Sequence, residues 1–194
     1  MTSGAAARPG WRDLLIAEAA VMTRAEGWAA VTMAGLAARV GVSRQTVYNE
    51  LGSKPALAEA LVMHELAVFL AAVDDAFGHH PDDLVAAVRA AARSVLEMAL
   101  ANPLLHAVLS AGHGAESDLL PLLTSRSEPL LDAARAVIAA RFAHDDLPLT
   151  PPEVETTIEM VVRLTLSHVM RPSQTPARTA DDVAWLVQRV LRPE

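Results

Sequence analysis

Residues 31–54, VTMAGLAARVGVSRQTVYNELGSK, have the spacing of two short helices joined by a tight turn. Thr32 and Ser43 stand where a side-chain oxygen would cap each helix by accepting from unpaired amides of its first turn. Gly41 falls at the turn, where a residue without a side chain takes a positive φ at low cost. The stretch therefore predicts a helix-turn-helix.

The second predicted helix has one apolar side and one polar side. Val47 and Leu51 lie about one turn apart on the apolar side. The opposite side carries Arg44 at the first turn, Gln45, Thr46 and Asn49, with Tyr48 on its flank. Amide and guanidinium groups at a helix N-terminus match the donors and acceptors of base edges in a major groove. The alternative is a polar surface turn of an ordinary bundle, but caps, turn and polar side agree in favouring DNA binding.

The residues from Gly27 to Leu57 follow the pattern G-W-x-x-V-T-x-x-x-L-A-x-x-x-G-V-S-x-x-T-V-Y-x-x-L-x-S-K-x-x-L. This pattern resembles the DNA-binding domain of the TetR family of transcriptional regulators. The resemblance continues back through Leu15, Ala19 and Met22 of a preceding helix and covers about the first third of the chain. In the remaining two thirds, only the all-helical character resembles the family.

The resemblance implies roles for the residues of this surface. Arg44 and Gln45 would read bases, and Thr46 and Asn49 would contact either bases or phosphates. Phosphate contacts are implied for Thr32, Tyr48 and Lys54, and Ser43 belongs to the same predicted surface. A packed aromatic without a DNA role is the alternative for Tyr48.

Charge and composition are compatible with a local DNA-binding surface. The chain has 194 residues and a net charge of −7, but residues 1–62 carry six basic and five acidic groups. The acidic excess therefore lies in the remainder, with ten basic and eighteen acidic groups. Cysteine is absent, which excludes disulfides and thiolate metal sites. Short apolar runs and a polar N-terminus predict a cytoplasmic protein without membrane contact.

The helical pattern predicts an all-α protein of two domains. Residues 1–9 are expected to form a disordered tail, residues 10–54 a three-helix DNA-binding domain, and residues 55–194 a helical ligand-binding and dimerisation domain. Predicted helices cover 11–26, about 54–77, 82–101, 104–111, 118–123, 127–143, 150–170 and a final segment from 179, beside the two of the helix-turn-helix. Thr150 and Glu153 are predicted to form a capping box, and Trp185 and Leu186 to face inward.

By resemblance, the protein is a ligand-responsive transcriptional regulator that binds a palindromic operator in double-stranded DNA as a homodimer. A repressor released by a small-molecule effector is expected, and an activator is the alternative. An alternative from a different class of protein is an all-helical small-molecule carrier or enzyme with a vestigial helix-turn-helix. No phosphate-binding glycine loop, G-x-S-x-G elbow or credible acidic pair occurs, so neither catalysis nor a cofactor is predicted.

The resemblance implies a ligand cavity in the larger domain, where apolar residues predominate. Apolar walls favour a hydrophobic effector, because a sugar or polyanion would lose its water without compensation. The predicted wall consists of Phe69, Val95, Met98, Leu109 and Val162, and the predicted polar contacts are His106, Ser110 and His113. The alternatives are a filled core without a cavity and histidines that face solvent. The seven histidines lack ligand spacing, so no metal site is predicted.

The two long helices at 127–143 and 150–170 are predicted to form a four-helix interface with their copies. The second of them is apolar around most of its circumference, and a chain of this length would hardly cover it on two sides. The predicted interface residues are Val137, Val161, Val162 and Val169.

Overall fold

A computed structural model describes residues 10–103, 105–106, 128–142 and 147–192, and over these residues the protein is all-helical. The predicted N-terminal tail and most of the two short helices at 104–111 and 118–123 lie outside the described residues. The helices are α1 (Trp11–Glu26), α2 (Met33–Val40), α3 (Arg44–Leu51), α4 (Lys54–His79), α5 (Leu84–Ala101), α6 (Glu128–Phe142), α7 (Pro151–Met170) and α8 (Pro176–Leu191), with a 3₁₀ turn at Trp28–Ala30.

The predicted helix caps and turn glycine of the helix-turn-helix are confirmed. The Thr32 hydroxyl accepts from the Gly35 amide at 2.9 Å, and the Ser43 hydroxyl accepts from the Thr46 amide at 3.0 Å. Gly41 ends α2 in the left-handed conformation, with φ at +77°. These contacts satisfy first-turn amides and allow the chain to reverse between α2 and α3.

The long helices begin at similar caps. Asp83 accepts from the Ala86 amide at 2.9 Å at the start of α5. At the start of α7, the Glu153 carboxylate accepts from the amide and the hydroxyl of Thr150, each at 2.7 Å, and the contact to the amide is one half of the predicted capping box.

The buried residues form two cores that share one helix. The first core joins α1, α2 and α3 with the first two turns of α4, where Leu57 and Leu61 are fully buried. The second core joins the rest of α4 with α5, α6, α7 and α8. The first core thus extends past residue 54, the predicted end of the DNA-binding domain, because α4 closes the underside of the three-helix unit.

The orientation of α8 differs from the prediction. The helix begins at Pro176, after the cap Thr175, and not at Thr179. The prediction that Trp185 and Leu186 face inward is wrong, because their exposed fractions are 55% and 43%. The inward stripe is Ala180, Val183, Ala184 and Val187, at the spacing i, i+3, i+4, i+7. At 100° per residue Trp185 falls outside this stripe.

Among the described residues, α4 is the one helix long and apolar enough to cross a membrane. Length and composition alone are weak evidence, since the core helix of a globular protein has the same properties. In this fold α4 packs against α1, α5 and α6.

Candidate DNA-binding surface and ligand cavity

The apolar side of α3 anchors it in the first core. Val47 is fully buried and Leu51 nearly so, which directs the opposite side of the helix outward. Arg44, Gln45 and Asn49 are exposed, and the Tyr48 side chain is half exposed at 50%. The structure therefore brings the predicted base-reading residues together on one open surface.

Gln45 and Asn49 are linked to each other on this surface. The Gln45 Nε2 donates to Asn49 Oδ1 at 2.8 Å, across one helical turn. After this hydrogen bond, the carbonyl oxygen of Gln45 can still accept from a partner and the amino group of Asn49 can still donate to one. An acceptor and a donor held side by side can match the paired groups on an adenine edge.

The predicted phosphate-contacting residues surround α3 in different environments. Thr32 and Ser43 use their hydroxyl oxygens as helix caps, and Thr46 is half-buried with its hydroxyl 2.9 Å from that of Ser43. The Lys54 Nζ donates to the Trp28 carbonyl at 3.3 Å and lies 5.0 Å from the centre of the Trp28 ring. An ammonium group has three donors, so this contact leaves capacity for a phosphate. Phosphate binding by these residues remains a prediction.

A cavity of about 150 Å³ lies between α4, α5, α6 and α7. Three of the predicted wall residues, Phe69, Val95 and Val162, line it. Most of its other walls are leucine, valine and alanine side chains, including Leu66 and Leu70 of α4. Apolar spaces of roughly this size admit small apolar molecules.

The other predicted pocket residues lie elsewhere or outside the described part. Met98 is half-buried and does not line the cavity. His106 lines a neighbouring space of about 220 Å³ together with His168, and its Nε2 lies 2.6 Å from the Leu100 carbonyl oxygen. Leu109, Ser110 and His113 lie outside the described residues.

Two polar residues of the cavity wall, Glu65 and Thr165, were not predicted. Glu65 is only 9% exposed, and its Oε1 and Oε2 accept from Arg24 Nη1 at 3.0 Å and Asn102 Nδ2 at 2.8 Å. The sequence contained a signal for it, because Glu65 lies between Leu61 and Phe69 at intervals of four residues. A carboxylate within an apolar stripe requires polar partners when the stripe is buried.

The residues predicted for a dimer interface are buried or half-buried in the single chain, and the interface itself remains a prediction. Val162 is buried, Val161 and Val169 line the cavity, and Val137 of α6 is half-buried. Helix α6 covers part of α7, and Arg135 of α6 lies 3.2 Å from Glu159 of α7. Large apolar side chains are exposed instead at Met160 of α7 and at Trp185, Leu186 and Val190 of α8.

Within the described residues, no group of three His, Asp or Glu side chains is placed to hold a metal ion. Two carboxyl groups of α7 at the protein surface have lowered pKa values. The amide and hydroxyl of Thr150 lower the pKa of Glu153, and Arg163 lowers the pKa of Glu159.

An exposed polar helix on a helix-turn-helix core, joined through α4 to a helical domain with an apolar cavity, defines a DNA-binding regulator with a ligand-binding domain. Residues 15–61 match the family model of bacterial regulatory proteins of the TetR family. Residues 83–189 match the C-terminal domain of the bacterial tetracycline repressor. The chain belongs to the TetR family of transcriptional regulators.

Known proteins of similar sequence or structure agree with this. The HTH-type transcriptional regulator AlkX of Mycobacterium tuberculosis is 31% identical over 176 residues, which are 91% of this chain and 79% of that protein. AlkX of Dietzia sp. strain DQ12-45-1b, a TetR family repressor implicated in biodegradation of n-alkanes, has a similar fold (TM-score 0.76, 23% identity, 92% of this chain and 99% of that chain). A TetR-family regulator of Pectobacterium atrosepticum has a TM-score of 0.63 at 18% identity, over 93% of this chain and 92% of that chain.

Proposed function

We propose that the protein is a cytoplasmic transcriptional repressor that binds a palindromic operator as a homodimer and is released by a small hydrophobic effector. The observation that carries the proposal is the surface of α3, where Arg44, Gln45 and Asn49 are exposed on a helix anchored by Val47 and Leu51. Such a helix enters a major groove with its first residues at the base edges.

The exposed apolar residues of α7 and α8 support a homodimer. Met160 is 54% exposed and Trp185 is 55% exposed, and Leu186 and Val190 are also open to solvent. Aromatic residues and methionine are enriched in the cores of protein interfaces. We therefore place the proposed interface on α7 and α8, and not on α6 and α7 as the sequence predicted. A two-fold dimer presents two α3 helices related by symmetry, which requires a palindromic site.

The cavity supports a hydrophobic effector. Its walls are almost entirely aliphatic and aromatic, so a highly polar molecule would lose its water there without compensation. The involvement of the Dietzia repressor in n-alkane biodegradation is consistent with this class of ligand. An effector acts if it binds better to the conformation whose two α3 helices are wrongly spaced for DNA.

Selection from random double-stranded DNA with the purified protein tests DNA binding. The expected result is a palindrome with half-sites separated by about one helical turn, confirmed by a mobility shift. Recovery of a single unrepeated site, or of no preferred sequence, would contradict the proposal and favour a small-molecule binding protein with an inactive helix-turn-helix.

Charge substitutions test the dimer. Met160→Glu and Trp185→Glu should convert the dimer to a folded monomer, as measured by sedimentation or native mass spectrometry, because each places a charge in the interface that must lose its water when the dimer forms. Val68→Glu is the matched control, since Val68 of α4 is a 47% exposed apolar residue on another helix. A dimer that survives both changes rules out the α7–α8 interface.

A further inference from the structure

The wall of the apolar cavity contains one charged side chain among the residues that the structure describes, Glu65 of α4. It is 9% exposed and is held by two donors from different parts of the fold. Arg24 of α1 approaches Oε1 and Asn102, at the end of α5, approaches Oε2, at 3.0 Å and 2.8 Å. These two contacts fix the position of the carboxylate at the edge of the cavity.

The carboxylate of this wall residue retains hydrogen-bonding capacity. Two carboxylate oxygens offer about four acceptor sites, and Arg24 and Asn102 occupy one on each oxygen. A molecule in the cavity that carries an O–H or N–H group can donate to the remaining sites. Such a bond to a charged acceptor, away from water, is stronger than a bond between neutral groups.

The charge balance of the cavity limits the polar group of the ligand. No lysine, arginine or histidine is among the described residues that line the cavity, so a ligand carboxylate would find no cation in the part of the wall that the structure describes. It would also lie beside another carboxylate. A ligand cation gains little, because the Arg24 guanidinium already balances the Glu65 charge while the cation must lose its water.

Resting on the function proposed above, we propose that Glu65 determines the specificity for the effector by accepting a hydrogen bond from it. The ligand class is then an apolar chain or ring with a neutral hydroxyl group, in preference to a bare hydrocarbon or a carboxylate. The apolar part lies against walls such as Leu66, Phe69 and Val95, and the hydroxyl group donates to the carboxylate of Glu65.

Three compounds that share one chain length test the inference: octane, octan-1-ol and octanoate. Their dissociation constants are measured by calorimetric titration of the purified full-length protein. The wild-type protein should bind octan-1-ol about ten- to a hundredfold more tightly than octane, because a hydrogen bond to a charged group contributes that much. Octanoate should bind more weakly than octan-1-ol.

Two neutral substitutions on α4 locate the effect. In Glu65→Gln the amide oxygen still accepts but is uncharged, so the advantage of octan-1-ol over octane should fall to about two- to tenfold. Octanoate should approach octan-1-ol in affinity. Glu59→Gln is the matched control, because Glu59 is an exposed glutamate of the same helix, and its three affinities should equal those of the wild type. Circular dichroism verifies that each variant is folded. The affinities of the wild-type protein for the three compounds test the inference even if a variant does not fold.

Equal affinity of the wild type for octane and octan-1-ol would overturn the inference, as would tighter binding of octanoate or an unchanged series in folded Glu65→Gln. If octane binds as well as octan-1-ol and releases DNA, the inference fails while the proposed function stands. If none of the three binds, the inference fails together with the proposed hydrophobic effector, and the DNA selection still decides whether the protein is a sequence-specific DNA binder.

Discussion

The guanidinium of Arg24 in α1 lies 3.0 Å from the carboxylate of Glu65 in α4, at the wall of the ligand cavity. Arg24 belongs to the helix that supports α2 and α3, so this ion pair joins the DNA-binding unit to the cavity directly. Helix α4 also enters both cores. Under the proposed function, a ligand that moves Glu65 would therefore act on the support of α3 through one charged contact and one continuous helix.

We expect Arg24→Gln to reduce communication between the cavity and the DNA-binding surface. The affinity for octan-1-ol should also change, because Arg24 helps to hold the Glu65 carboxylate, so the coupling is measured with saturating octan-1-ol. The factor by which saturating octan-1-ol weakens DNA binding should fall, because the charged link is lost. The free energy of unfolding should decrease by about 1–3 kcal/mol, because the change removes one of the two contacts of the buried Glu65 carboxylate, while the Arg24 side chain itself is 41% exposed. Mobility shifts with and without octan-1-ol and chemical denaturation measure these two effects. Arg93→Gln, which breaks an exposed pair with Glu97 within α5, is the control, and an equal loss of coupling there would contradict the role of Arg24.

The hydrogen bond between Gln45 and Asn49 leads to a prediction about DNA readout. Gln45→Ala should weaken binding to the selected operator by about 1–3 kcal/mol and relax the preference at one or two base pairs. Asn49→Ala should act non-additively with it, because either change removes the same 2.8 Å contact. A double-mutant cycle on operator and mismatched DNA measures this. Lys54→Ala provides the comparison: it should weaken all sequences alike and reduce the salt dependence by about one phosphate. A uniform effect of Gln45→Ala would show that Gln45 does not read bases.

Two glycines should respond oppositely to alanine. Gly41 has φ at +77°, and no heavy atom lies within 4 Å of the position that an alanine Cβ would take, so Gly41→Ala introduces backbone strain without a clash. The free energy of unfolding should fall by about 1 kcal/mol. Gly78 lies within α4 with equally open space, so Gly78→Ala should raise it by about 0.5–1 kcal/mol. Urea denaturation measures both, and changes of the same sign would contradict the assigned conformations.

The capping box of α7 predicts a dependence of stability on pH. The amide and then the hydroxyl of Thr150 lower the pKa of Glu153 below its ordinary value of 4.5. A carboxylate with a lowered pKa in the folded state stabilises the protein above the pKa of the unfolded chain, and this contribution is lost as the pH falls through the folded pKa. Glu153→Gln should therefore lose less stability than the wild type between about pH 5 and strongly acidic pH, as followed by thermal melting. Glu155→Gln, an exposed glutamate of the same helix, should behave like the wild type. If both variants follow the wild type, the capping box does not contribute to the acid sensitivity.

The sequence alone determined the helix-turn-helix and the residues on its outer surface. Thr32, Gly41 and Ser43 act within three to five residues of their own positions, so their effects can be read from the chain without knowledge of the fold. The apolar spacing of Val47 and Leu51 likewise determines which side of α3 is buried. The same local logic predicted α1 and the capping box of α7.

Only the tertiary structure decided which apolar faces are covered and where the polar group of the cavity lies. Trp185 is a large apolar residue, and its exposure depends on which side of α8 packs against α5 and α7. Glu65 meets Arg24 and Asn102, which are 41 and 37 positions away in the chain. No periodicity carries information over such distances, because these contacts depend on how the helices pack together and not on the local preferences of each helix.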